Sequence, residues 1–277
     1  MRSGVASSVQ RHNSRMRIGL RLGIAAGLWL AGWTAVAQSN QSAAPVENKV
    51  NAKALLDRGV EAYLTGNDPV ALTIFRQAAA LGNVDAMMYL GVMDGTGRGV
   101  PVDYDAAMSW FRKAADAGNS QAMCNIGLLY LQGLGTPKSY HDALSWFNKA
   151  ATVGNAEAAF NMGVLYRDGL GVAANPSEAL RWFRKAANQG DDIAANAIGV
   201  LYQQGSGVPV DYAEALTWYR KSADAGNGTA MYNIGVLFEG GLGVDKDRTQ
   251  AIAWYRRAVT AGNVLAKTAL ESLGVKD

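Results

Sequence analysis

One spacing governs this chain. Trp110, Trp146, Trp182, Trp218 and Trp254 stand 36 residues apart. Ala86, Ala122, Ala158, Ala194, Ala230 and Ala266 keep the same step, and so do Gly91, Gly127, Gly163, Gly199 and Gly235. Five units follow without insertion: 86–121, 122–157, 158–193, 194–229 and 230–265. A unit of this length is one supersecondary element, and its apolar face can be covered only by a neighbouring unit. The period therefore restricts the chain to a stacked array. It also acts as an alignment internal to one sequence.

Each unit divides into two helices. In Ala158-Ala-Phe-Asn-Met-Gly-Val-Leu-Tyr-Arg-Asp, residues Ala158, Met162, Leu165 and Tyr166 share one side at helical spacing. Gly163 sits in mid-helix, where Gly costs about 1 kcal/mol against Ala. Its return in five units implies a helix contact too close for a Cβ. A Gly-x-Gly turn follows, at Gly97/Gly99, Gly133/Gly135, Gly169/Gly171, Gly205/Gly207 and Gly241/Gly243. A phosphate cradle would need a strand before it and a helix starting within it, so a left-handed turn after a helix is the better reading.

Asp103, Ser139, Asn175, Asp211 and Asp247 then stand where a second helix needs its cap. Glu178, Glu214 and Gln250 fall where a capping box would place an acid or amide, and Pro176 fits a first helical position. In the second helix, Ala179, Trp182, Phe183 and Ala186 form one stripe. A buried Trp removes about 150–250 Å² from water. The five indoles are thus expected inside, as the main specific source of cohesion between units.

The ends are atypical, as a stacked array requires. Residues 53–85 read as a shortened first unit, with Ile74 in the place of Trp and four turn residues missing between Gly59 and Gly91. Residues 266–277 read as a lone capping helix, with Glu271 where Gly would stand.

The sequence of Ala-x-x-x-Leu-Gly-x-x-Tyr, Gly-x-Gly-Val and Ala-x-x-Trp-(Phe/Tyr)-x-x-Ala-Ala-x-x-Gly resembles the Sel1-like repeat family, a relative of tetratricopeptide repeats. The resemblance implies an all-α fold, a right-handed α-solenoid of stacked antiparallel helix hairpins. It also implies a protein–protein scaffold with the first helices lining a concave groove.

Units differ most on the first-helix stripe that this resemblance makes the groove floor. The expected partner-binding residues are Met88, Tyr89, Asn125, Phe160, Asn161, Arg167, Asn196, Tyr232 and Asn233. Each Asn amide offers donors and acceptors and can pair with a ligand's main chain. Related repeats use Asn at the matching place in that way. The alternative is that these Asn bond the neighbouring unit's backbone. Met88, Tyr89, Phe160 and Tyr232 can pocket apolar side chains or contribute to the core.

On the second helix, Arg112-Lys113, Asn148-Lys149, Arg184-Lys185, Arg220-Lys221 and Arg256-Arg257 make a ladder in which nine of ten residues are basic. Cations near a helix C-terminus complement its dipole, and their stems cover core edges. An acidic partner on that face is the alternative.

Residues 1–37 read as an address. Five Arg precede or flank a 12-residue apolar run, Leu22 to Trp33, too short for a comfortable membrane span. Cleavage is expected after Ala37, with Met16 an alternative start and an uncleaved anchor the alternative fate. Residues 38–52 read as a flexible linker. The mature protein is then expected to be periplasmic or secreted, with no lipid anchor and no integral span. Without the leader, 21 basic residues face 23 acidic, which gives no general pull toward nucleic acid.

No catalytic set is visible. Past the leader the one His is His141, and Cys124 is the single Cys, which leaves no disulfide framework, metal set or relay. Cysteine-rich relatives described as β-lactamase-like have a paired-Cys scaffold that this chain lacks. No cofactor or metal is expected. The expectation is a non-enzymatic exported scaffold for a protein or peptide. An envelope glycan-, peptidoglycan- or polysaccharide-export-associated structural protein is the alternative, and a hydrolase stands third.

Overall fold

The computed structural model describes the backbone of residues 46–275 and the side chains of residues 51–275. The leader, its cleavage site and the start of the expected linker lie outside the described residues. Every regular element described is a helix. In order they are α1 (Val46–Leu64), α2 (Asp68–Ala80), α3 (Val84–Thr96), α4 (Tyr104–Asp116), α5 (Ser120–Gln132), α6 (Tyr140–Thr152), α7 (Ala156–Asp168), α8 (Pro176–Asn188), α9 (Asp192–Gln204), α10 (Tyr212–Asp224), α11 (Gly228–Gly240), α12 (Arg248–Thr260) and α13 (Val264–Ser272). Two compact units form, divided after Val102. Helices α1–α3 belong to the first, and α4–α13 to the second. In each, successive helices pack as a solenoid, hairpin upon hairpin.

The helix α1 starts earlier than the linker reading allowed. It is helical from Val46, so the segment expected to be flexible up to residue 52 is partly structured. Val46-Glu-Asn-Lys-Val-Asn-Ala holds no Gly or Pro to stop a helix. Ala52 is buried, and its carbonyl accepts a bond from Asn83 Nδ2 at 3.4 Å.

Caps set the boundaries. The side chains of Asn119, Asn155, Asp191, Asn227 and Asn263 accept from the amides of Ala122, Ala158, Ala194, Ala230 and Ala266, starting every first helix of the second unit. Asp103, Ser139, Asn175, Asp211 and Asp247 do the same for the second helices. Each such cap contributes about 1 kcal/mol. Two of the expected capping-box acids are used otherwise. Glu214 accepts from Trp218 Nε1 at 2.9 Å, and Glu178 from Arg181 at 2.7 Å.

The turn glycines do two jobs. Gly169 ends α7 in the left-handed region at φ 68°. Gly171, at φ 75°, lies so close to the preceding hairpin that a Cβ would sit 2.5 Å from Tyr140 Cβ. The first therefore closes the helix, and the second lets one hairpin seat on another.

The core corrects the expectation for the indoles. Trp110, Trp146, Trp182, Trp218 and Trp254 are all half-buried. The residue after each is the one inside. Phe147, Phe183, Tyr219 and Tyr255 are exposed by 1% or less, as is Phe75 of the first unit. Each lies against the mid-helix glycine of its own hairpin. A Cβ on Gly59, Gly127, Gly163, Gly199 or Gly235 would stand 2.5 or 2.6 Å from the ring of Phe75, Phe147, Phe183, Tyr219 or Tyr255.

Adjacent helical residues point about 100° apart, so only one of a Trp-Phe pair can enter that seam. The indole is left at its edge, where a cation covers one face. Lys113, Lys149, Lys185 and Lys221 nitrogens stand 4.2, 4.2, 5.2 and 5.0 Å from the indole centroids of Trp110, Trp146, Trp182 and Trp218, and the Arg257 guanidinium is 4.0 Å from that of Trp254.

The first unit replaces its missing turn residues with one side chain. Arg98 donates to the Tyr63 carbonyl and the Asp68 carboxylate, and its guanidinium lies 3.6 Å from the Tyr63 ring centroid. Later turns carry Leu134, Leu170, Ser206 or Leu242 at this place.

Truncating a fully buried Phe costs about 3–5 kcal/mol. Phe183→Ala is expected to lose that much in a denaturant titration, and the half-buried Trp182→Ala about half as much. Equal losses would contradict the inner ladder. Gly163→Ala should also destabilise, although Ala is the better helix former.

Candidate functional site

The face expected to bind a partner lies on the first helices, and in the second unit these are α5, α7, α9 and α11. Side-chain bonds join neighbouring first helices across one repeat. Gln121 Nε2 donates to Glu157 at 3.0 Å, Asn155 Nδ2 to Gln121 Oε1 at 3.1 Å, and Asn227 Nδ2 to Asp192 at 2.8 Å. The helices are thereby fixed in register before any ligand arrives.

The Asn row is mostly interior. Asn125 and Asn196 are each 2% exposed and Asn161 is buried, while Asn233 is half-buried. Asn233 Nδ2 donates to Asn196 Oδ1 at 2.9 Å, from one repeat to the next. Asn161 bonds the Cys124 thiol of the preceding repeat. Asn125 Oδ1 accepts from Gln121 at 3.5 Å within α5. These amides thus serve between and within helices, through side chains rather than the neighbouring backbone.

The apolar members keep an open edge. Phe160 is half-buried, with its ring centroid 5.5 Å from that of Phe183, and Tyr232 stands 5.5 Å from Tyr255. Each is a surface aromatic seated on the inner ladder, and it adds about 0.5–1.5 kcal/mol beyond its buried area. Arg167 is half-buried and forks onto Asp168 with bonds of 2.7 and 2.8 Å. Met88 and Tyr89 belong to the first unit and are both half-buried. Tyr89 stacks on Phe75 at 4.8 Å and 4°, and meets Tyr63 edge-on at 5.5 Å. Burial, then the nearby Tyr63 and Asp85, push its phenol up.

Two further residues belong to this face. The Tyr219 hydroxyl donates to Gln203 and that of Tyr255 to Glu239, both at 2.6 Å and both sixteen residues away. Where the inner residue is Phe147 or Phe183, the matching place holds Leu131 or Arg167. A phenol thus comes with an acceptor and a phenyl without one. This pairing is legible by comparing repeats and is the signal that Gln203 and Glu239 are held in place. Burial pushes the Tyr219 and Tyr255 phenols far up, with the Glu239 carboxylate adding to the effect at Tyr255.

Cys124 is fully buried. Burial and then the Glu157 charge raise its thiol well above the ordinary range, opposed by the bond to Asn161. A thiol so placed is a core residue and not a nucleophile. His141 lies on the surface beside Asp142 at 3.7 Å. Among the described residues no three His, Cys, Asp or Glu side chains gather as a metal set, and no helix is long and apolar enough to cross a membrane.

The Sel1 repeat model matches residues 52–83, 84–119, 120–155, 156–191, 192–227 and 228–263. This chain belongs to the Sel1-repeat family. From residue 84 on, its matched repeats begin two residues before the frames set by the alanine period, each at the start of its first helix, whereas the first match opens inside α1. A Sel1 repeat protein from Oxalobacter formigenes is 35% identical, with 79% of this chain and 89% of that one covered and a TM-score of 0.74. The protective antigen c5321 of uropathogenic Escherichia coli, which has the same fold, is 32% identical over 81% of this chain and 49% of its own, with a TM-score of 0.70. The chain thus spans about half of that antigen. Immunity protein Pa5087 of Pseudomonas aeruginosa, 22% identical over 77% of this chain and 83% of its own, shares the fold at a TM-score of 0.53. No curated protein matches the chain. Sel1-repeat proteins generally serve as protein-interaction scaffolds and are generally non-enzymatic.

The raised Cys124 and tyrosine groups set a testable pH behaviour. A thiol or phenol with a raised folded pKa favours the folded state below its unfolded value, and that contribution is lost as pH rises through and beyond it. Stability should fall above about pH 8.5 from Cys124 and more steeply above about pH 10 from Tyr219 and Tyr255. Cys124 should react with a thiol reagent only in denaturant. Rapid reaction in buffer would refute its burial.

Proposed function

We propose that this Sel1-repeat protein is an exported, non-enzymatic scaffold that holds a polypeptide on the first-helix face of its second unit. Export rests on the leader pattern of residues 1–37: Arg-rich, then apolar, then Ala35-Val36-Ala37. The mature protein then works in the periplasm or outside the cell.

One observation carries the binding reading. The inner ladder keeps a Phe or Tyr on a glycine from repeat to repeat, while the open edge above it changes in kind. It presents Phe160 and Arg167 on α7, Gln203 on α9, and Tyr232 and Glu239 on α11. Packing accounts for Gln203 and Glu239, as acceptors for the tyrosines beneath them, but demands no such variety at Phe160, Arg167 and Tyr232. Rigid aromatic anchors beside varied polar groups suit recognition of one particular polypeptide. The half-exposed Asn233 is the member of the Asn row best placed to meet a ligand's main chain, whereas Asn125, Asn161 and Asn196 are buried and bonded to other side chains.

Site-specific photo-cross-linking tests this. Benzoylphenylalanine in place of Phe160 is expected to capture a discrete, protease-sensitive partner from envelope extract, and the same group in place of the exposed Ser109 on α4 is not. Phe160→Ala/Arg167→Ala should weaken the captured partner's binding at least tenfold while the protein stays folded. Equal capture from both positions, or full affinity in the double variant, would remove the assignment.

A further inference from the structure

The outer ladder has an arrangement that packing does not require. Lys113, Lys149, Lys185, Lys221 and Arg257 each lie over an indole. Arg112 and Arg184 reach the hydroxyls of Tyr130 and Tyr202, at 3.4 and 2.5 Å. Both kinds of contact hold a long side chain and leave its charge in place. Arg220 and Arg256 complete the nine, and all but the half-buried Lys185 are exposed. Among the described residues, no carboxylate is ion-paired with any of them.

Charge is therefore concentrated here rather than merely present. With the leader removed, acids outnumber bases, 23 to 21, yet the second helices of five successive repeats take nine of those cations. A helix C-terminus is complemented by a single cation in its last turn, worth a few tenths of a kcal/mol when exposed. Doubling that cation in four of the five helices adds like-charge repulsion within each pair.

We infer that this face binds a linear acidic polysaccharide, laid across α4, α6, α8, α10 and α12. The charges recur once per repeat in a row, which fits a polymer whose own charges recur. The half-buried indoles beside them leave some apolar surface on which a sugar ring can rest. Beside Arg112 and Lys113, an open depression of about 450 Å³ gives room for a ring; Asp105, Met108, Ser109, Asp116, Gly135 and Thr136 also bound it, so its two carboxylates offset its two cations and it contributes space rather than charge.

A lipid surface fits less well, because the indoles are half-buried under cations and present nothing to insert. A polynucleotide fits less well too, because no open aromatic face is offered for base stacking. Holding the cations in place beforehand removes part of the ordering cost of binding. This surface is separate from the first-helix face, so either reading can fail alone.

The test uses the mature protein and polygalacturonate as the probe. Binding is expected at low salt, to weaken steadily as salt rises, and to be absent with neutral dextran. Arg220→Gln/Arg256→Gln, whose guanidinium groups have no hydrogen-bond or ion-pair partner among the described residues, should weaken it about tenfold. Lys138→Gln/Lys246→Gln, an equal charge change off the ladder, should leave it within twofold. Thermal melts of both variants show that they fold. No binding at low salt would overturn the inference, as would equal losses in the two variants. Tighter binding to polyglutamate, to phosphatidylglycerol vesicles or to single-stranded DNA than to polygalacturonate would overturn it as well.

Discussion

A ring pressed on a glycine is the contact on which this molecule depends. In the hairpins α1–α2, α5–α6, α7–α8, α9–α10 and α11–α12 the second helix sends one Phe or Tyr into the first, and the first helix has removed its Cβ to receive it. The mid-helix glycine costs about 1 kcal/mol of helix propensity, and burying the ring returns several times that. Because the seam is so shallow, the two helices approach closely and the hairpin becomes a thin, regular slab. Slabs of equal thickness can stack with equal steps, and a second turn glycine such as Gly171 lets each seat on the last.

Regularity of that kind separates structure from recognition. The residues that hold a repeat together are obliged to recur, since each slab meets the same neighbour. Those on the open edges of the first helices vary: Phe160, Tyr232 and Arg167 carry no such obligation, while Gln203 and Glu239 answer only to the tyrosine beneath each. They are nevertheless rigid. Phe160 and Tyr232 rest on the inner rings, and Gln203 and Glu239 accept from the tyrosines beneath them. A face that is varied in chemistry but fixed in position suits the interaction-scaffold role general to Sel1-repeat proteins. The outer ladder reverses the pattern, with like charge at equal steps and Asn148 its one neutral place, and so suits a partner that itself repeats.

Much of this was legible before any coordinates. The 36-residue step, the hairpin within each step, the caps from Asp103 to Asp247 and the left-handed glycine turns all follow from residues whose physical demands are local. A cap needs only the next three residues, and a turn glycine only its own φ. The candidate face was legible as a stripe, through helical spacing and the variation among repeats. Its inner partners were half-legible, because the pairing of Tyr219 with Gln203 and of Tyr255 with Glu239 is written in the repeats once they are compared.

Tertiary structure alone decided which of two neighbouring aromatics goes inside. Trp182 and Phe183 are both apolar and both point toward the hairpin, and the larger indole is the natural choice on area. The glycine seam admits the ring aimed squarely at it, and the 100° turn to the next residue leaves the indole at the rim, under a lysine. The same holds for the amides. An Asn in mid-helix is a donor and acceptor in search of a partner. Only the placement of one repeat beside another shows Asn233 spending a donor on Asn196 and Asn161 bonding Cys124. Local sequence specifies what a side chain can do, and the distance to a neighbour in the adjoining repeat determines which of those things it does.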